Sequence, residues 1–368
     1  MNDQNEKKVA WLAATSHLLT HGYMTLLPAV LVVLSDVEDL SFFQIGVIGT
    51  MGYLLYGAGS IPAGIMTDKF GAKRMLTIGL LSMAATSILV GVSPSGWFFA
   101  VAYALFGLSA SIYHPSGLPL IAKHIEKKGK ALGLHGVMGN IGLTTGPLFA
   151  ALMVMIFNSW RAAYIGYGIL GLAFSFVMLK SKIKDEADLS LSSIMSRLTK
   201  GEPGQTVPAD DPQGDLLENV SELTSREKTL YVPIALLLLY IECVLFGFIY
   251  RGAITYFPTL FQQEIDYIAS QLPPQPTVLA GILSSVILGF GVVGQWFAGY
   301  ISDKVKNPAM AQIAIFVFVA PVLFMISKAS DMPLVIYSTL FSLVFFGWQP
   351  LRLLQNTHQR NLMVSAMA

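Results

Sequence analysis

The chain has 368 residues, 54% of them hydrophobic and only 12% charged, with a mean hydropathy of +0.61 and a net charge of +1. Soluble domains carry roughly 25% charged residues, so a soluble fold is excluded, and the balanced charge offers no basic surface for nucleic acid. A single cysteine, Cys243, excludes a disulfide framework and any multi-cysteine metal site.

The polar start is followed by an apolar run too long for the core of a cleaved signal peptide, which predicts a first membrane helix over 9–35. Further runs of about 20 mostly apolar residues lie at 42–66, 75–93, 97–122, 131–157 and 160–179. After a polar stretch, four more lie at 230–259, 277–302, 309–327 and 333–354. The runs are apolar all round and rich in glycine, so their backbone groups are satisfied within helices rather than in a barrel. The expected fold is an all-α integral membrane protein with ten spans. Residues 181–229, which include "TKGEPGQTVPADDPQGD", read as a flexible linker. They separate a six-helix segment, 1–180, from a four-helix segment, 230–368.

Of the 23 Lys and Arg, nearly all fall on one side if the N-terminus is cytoplasmic. Lys328 and Arg161 lie at the opposite face and Arg251 within a span. This asymmetry predicts a cytoplasmic N-terminus in the cytoplasmic (inner) membrane.

Ionisable residues inside a span are costly and are functional candidates. His17 and His21, four residues apart, share one face of the first helix. An imidazole titrates near neutral pH, which suits proton coupling. Two ligands do not make a metal site, and no metal ion is expected. His114 precedes Pro115, which frees carbonyls toward a cavity. Asn140 is placed to bridge helices, whereas His124 and His135 are expected to be solvated. In the seventh span, Glu242 and Arg251 are nine residues apart, about 13.5 Å along a helix. They cannot pair while that helix is straight. Glu242 is expected to carry a proton or to partner a basic residue on another helix, and Arg251 to bind an anion or close a gate. Nucleophile-elbow, HExxH and P-loop motifs and clustered carboxylates are absent from the sequence. An enzyme or direct ATP drive is therefore not expected.

The loop after the second span reads "GIMTDKFGAKR", residues 64–74. It fits G-x-x-x-D-[RK]-x-G-x-[RK]-[RK], and a shorter copy, Gly299 with Asp303 and Lys304, follows the second span of the other half. The chain resembles the major facilitator superfamily over nearly its whole length. Gly133, Gly142, Gly146 and Pro147 follow that superfamily's antiporter spacing, ending in Ala150 and Ala151 where Gly-Gly is usual. The segments around 16–34 and 109–124 look like its fosmidomycin-resistance-type branch, although Thr20 and His21 stand where that branch has an Asn-Asp pair.

The resemblance implies a two-bundle helical fold of twelve spans, so the C-terminus is expected to lack the last two. It also implies a cytoplasmic latch. Gly64 and Gly71 allow close approach and a tight turn, Asp68 faces a helix dipole and a basic partner, and Lys69, Lys73 and Arg74 pair with acidic groups. The implied function is secondary active transport by alternating access, as proton-coupled efflux of a drug or organic anion. The energy source is the proton gradient, with no cofactor. The expected partners are a small-molecule substrate and the lipid bilayer, with the protein a monomer. The alternatives are import of a small organic anion, a non-transporting receptor or scaffold, or a truncated inactive transporter.

Overall fold

The computed structural model describes residues 4–125, 128–183, 225–271, 276–302 and 308–348. Among these the regular structure is helical throughout. The first eight helices are α1 (Gln4–Met24), α2 (Leu26–Glu38), α3 (Phe42–Phe70), α4 (Ala72–Gly91), α5 (Gly96–Ala110), α6 (Tyr113–His124), α7 (Lys128–Phe157) and α8 (Trp160–Lys180). They are followed by α9 (Ser225–Glu264), α10 (Asp266–Gln271), α11 (Pro276–Ser302), α12 (Pro308–Ile326) and α13 (Asp331–Phe345). Seven stretches are long and apolar enough to cross a membrane, with α12 and α13 as shorter apolar helices. With α3, which has 29 residues, each of the ten expected spans has its helix.

Local chemistry sets the helix ends. Ser41 opens α3 in a capping box: its hydroxyl accepts from the Gln44 N–H, and the Gln44 side chain accepts from the Ser41 N–H. Ser95 caps α5 by accepting from the Phe98 N–H. Two expected spans break internally. The first breaks at Thr25, whose hydroxyl donates to the Gly22 carbonyl at 3.0 Å. The fourth breaks between Ala110 and Tyr113. That break puts Pro115 in the first turn of α6, where its missing N–H costs little.

The chain divides into two compact units: residues 1–190 with 255–289 and 330–335, and residues 191–254 with 290–329 and 336–368. In the first, α1 lies along α7, α4 along α8, and α3 and α4 flank α5. Its core includes Tyr23, Leu34, Met83, Phe106 and Trp160. At one end Arg161 pairs with Glu38 and donates to the Ser93 carbonyl at 2.8 Å, and the Trp160 indole donates to Glu38 at 3.1 Å. One carboxylate thus joins the end of α2 to the start of α8. In the second unit, Phe246 of α9 stacks on Phe345 and Trp348, with ring centroids 4.6 and 3.7 Å away. Outward faces keep large apolar side chains: Phe43, Trp97, Phe248 and Trp296 are each at least 70% exposed. Lipid accepts such a surface and water does not.

Candidate functional site

The antiporter-type glycines explain how two helices come close enough to share a site. A Cβ at Gly142 would overlap the Leu18 carbonyl, one at Gly146 the Thr25 hydroxyl, and one at Gly139 the His17 ring. Glycine at these positions lets α7 lie directly on α1. Gly133 has open space around it. On the other face of α7, a Cβ at Gly281 of α11 would meet the Ala151 side chain at 2.6 Å and the Pro147 carbonyl at 3.1 Å. Within the first unit, α7 is therefore held between α1 and α11.

This packing gathers four histidines. His17 lies 4.4 Å from His21, 5.3 Å from His114 and 4.0 Å from His135, measured between ring centroids. His21 and His114 are 5.8 Å apart. Tyr113 stacks on His17 at 5.2 Å, and Tyr56 of α3 reaches His114 at 6.4 Å. The sequence reading joined His17 to His21 by helical spacing; the fold adds His114 and His135 from two other helices. The expectation that His135 is solvated is corrected: it is 4% exposed. It sits one turn before Gly139, where α7 lies against His17 of α1, so the close contact removes it from solvent. His124 is the last residue of α6, its Nδ1 2.9 Å from the Leu120 carbonyl. Asn140 is buried on α7, its main-chain carbonyl accepting from the Thr144 hydroxyl at 3.0 Å.

Hydrogen bonding orders the cluster. His17 Nδ1 lies 2.7 Å from the main-chain oxygen of His135. A carbonyl only accepts, so Nδ1 carries the proton and Nε2 keeps a lone pair. His17 is 8% exposed, and its Nε2 is buried without a hydrogen-bond partner among the described residues. The Tyr113 hydroxyl donates to the Ala13 carbonyl at 3.0 Å and lies 3.4 Å from His135 Nδ1. Ring nitrogens of His17, His21 and His114 all lie within 4.8 Å of one another. Helical spacing places two of these rings on α1; the start of α6 supplies the third.

In the second unit, the Trp348 indole donates to the half-buried Glu242 carboxylate at 2.9 Å. Phe246, one turn further along α9, stacks on the same indole. Helix α9 is continuous from Glu242 to Arg251, which keeps the two charges apart. Arg251 is half-buried and lies 5.8 Å from the centroid of the Tyr250 ring.

At the loop motif, Gly71 has φ 94° and ψ 147°, a backbone that favours glycine, and its N–H bonds the Thr67 carbonyl to close α3. Asp68 is exposed on the last turn of α3, and Lys69 lies 5.4 Å from the Phe70 ring centroid. Lys73 donates to the Ser181 carbonyl at 2.6 Å, tying α4 to the segment after α8. Arg74 is exposed. A Cβ at Gly64 would have ordinary contact with Pro115 at 3.9 Å, so α3 and α6 do not come into backbone contact there. Asp303 and Lys304 of the second copy lie outside the described residues.

Sequence reasoning missed Tyr113, His135, Trp348 and the Glu38–Arg161 clamp. The signal for the second was the pair Gly139 and Gly142, which follows His135 on the same helix and allows close approach to α1.

The sequence is 23% identical to the membrane sensor protein UhpC of Salmonella typhimurium over 327 residues, 83% of this chain and 67% of that protein. It is 28% identical to the fosmidomycin resistance protein of Escherichia coli over 212 residues, 56% of this chain and 49% of the relative. The chain thus spans about half to two thirds of the length of these curated relatives. Neither relative is named as an enzyme. The fold matches the crystal structure of a bacterial homologue of the human lysosomal transporter Spinster, inward-facing and unoccupied. That match has a TM-score of 0.68 at 12% identity, over 100% of this chain and 80% of the other. The family model of the Major Facilitator Superfamily matches residues 11–363, and the chain belongs to that superfamily.

Proposed function

We propose that the protein is a secondary transporter of the cytoplasmic membrane that exports a small drug or organic anion by alternating access, driven by the proton gradient. The N-terminus is cytoplasmic in this reading. The observation that carries it is Glu242: a carboxylate near the middle of a long apolar helix, accepting from the indole N–H of Trp348, which lies three residues past α13. Such a group costs several kcal/mol to place in a membrane and marks a pathway or a proton site. Proton binding there biases the facing states only through a difference in proton affinity between them. Export is supported by the fosmidomycin resistance protein among the relatives and by the antiporter-type glycines that seat α7 on α1. Arg251 is the candidate contact for an anionic group on the cargo. The resemblance to a protein named as a membrane sensor favours one second reading, a receptor that binds its ligand without moving it.

The test uses inside-out membrane vesicles and radiolabelled fosmidomycin. Energised vesicles carrying the protein should accumulate the label, and a protonophore should release it. Accumulation only in right-side-out vesicles would assign import by symport instead. Binding to the purified protein without flux in either orientation would assign the sensor reading.

A further inference from the structure

We propose that His17, His21 and His114 form a binding site for one divalent transition-metal ion of the Zn2+ or Co2+ type, inside the first unit. The three side chains come from two helices and offer ring nitrogens within 4.8 Å of one another. His17 is prepared for the task. Its Nδ1–H is held by the His135 main-chain carbonyl at 2.7 Å, which fixes the ring and leaves Nε2 as a lone pair. An outer hydrogen bond of this kind commonly sets the tautomer of a metal-binding histidine. That Nε2 is buried without a hydrogen-bond partner among the described residues, and a buried acceptor left unmet is destabilising. Bound metal supplies the missing partner.

The ligand set selects the ion. Three neutral imidazoles suit Zn2+, Co2+, Ni2+ and Cu2+, whereas Mg2+ and Ca2+ require oxygen ligands. Zinc–nitrogen bonds of about 2.0–2.1 Å place tetrahedral nitrogens about 3.3 Å apart, so the rings must draw together by up to about 1.5 Å. His21 and His114 are half-buried. Three protein ligands leave one tetrahedral position for water or an anion, the arrangement of an open site. Tyr113, stacked on His17 and bonded to the Ala13 carbonyl, braces the ring.

The inference does not use the transport reading, and its test needs no gradient. The full chain, purified in detergent without a polyhistidine tag and stripped with chelator, is titrated with Co2+ and followed by visible absorption. One Co2+ per chain should give the bands of a tetrahedral site, and Zn2+ should displace it. His21→Ala and His114→Ala should each weaken binding by more than the 10–100-fold lost with an outer partner. His124→Ala, outside the cluster, should bind as wild type. X-ray absorption of the wild-type Zn2+ complex gives a reading independent of any variant, and should show three imidazole nitrogens at about 2.0 Å. Lack of stoichiometric Co2+ binding by the wild type would overturn the site. So would an all-oxygen shell, or wild-type binding by both His21→Ala and His114→Ala.

Discussion

The histidine cluster of the first unit and the Glu242 corner of the second hold ionisable groups in opposite ways. The cluster is supported from several sides: the α7 glycines set the helix distance, the His135 carbonyl orients His17, and Tyr113 stacks beneath it. Glu242 receives a hydrogen bond from an indole that is itself fixed by stacking. A group held by many contacts keeps its geometry when one is lost. Glu242 is a carboxylate, and a hydrogen bond to a charged group is worth more than one between neutral groups, so loss of the indole N–H is expected to be felt sharply.

The comparison breaks most visibly where the cluster's scaffold is overfilled. Gly142→Leu drives a side chain into the Leu18 backbone. Overpacking costs about 1–3 kcal/mol, more when backbone must move. The expected outcome is a large loss of folded protein by size-exclusion chromatography; normal yield and melting would show that α1 and α7 are not in this contact. Trp348→Phe keeps the aromatic stack but removes the N–H to Glu242. Hydrogen bonds to charged groups are worth about 1.5–3 kcal/mol, so gradient-driven accumulation should fall about tenfold or more while the protein still folds. Tyr113→Phe keeps the ring on His17 and removes the hydroxyl with its contacts to Ala13 and His135, the first worth about 1 kcal/mol. Its effect should be a melting point lower by a few degrees, with Co2+ binding retained. Lys73→Met should change stability least, by under about 1 kcal/mol, because water replaces the bond of a half-exposed ammonium to the Ser181 carbonyl.

The sequence displays the features that lie along one helix. Apolar runs gave the spans, and four-residue spacing joined His17 to His21. It hides the features that depend on which helices become neighbours. His135 follows the basic run Lys127, Lys128 and Lys130, and read in order it belongs to a solvated end. Only the packing of α7 on α1 buries it. His114 meets His17 across 97 positions of chain, beyond the reach of any periodicity. Trp348 and Glu242 are 106 residues apart, and the Glu38–Arg161 pair spans 123. The breaks at Thr25 and before Tyr113 were similarly invisible to hydropathy, which averages over a window longer than the break.

The central claim, that a proton gradient is coupled to cargo movement through Glu242, is tested by comparing wild type with Glu242→Gln in proteoliposomes. Two rates are measured with radiolabelled fosmidomycin: accumulation driven by an imposed pH gradient, and exchange of label across the membrane without one. Glutamine preserves the shape and the acceptor for Trp348 but cannot take up a proton. The variant should keep exchange and lose gradient-driven accumulation. Equal accumulation in variant and wild type would contradict the account.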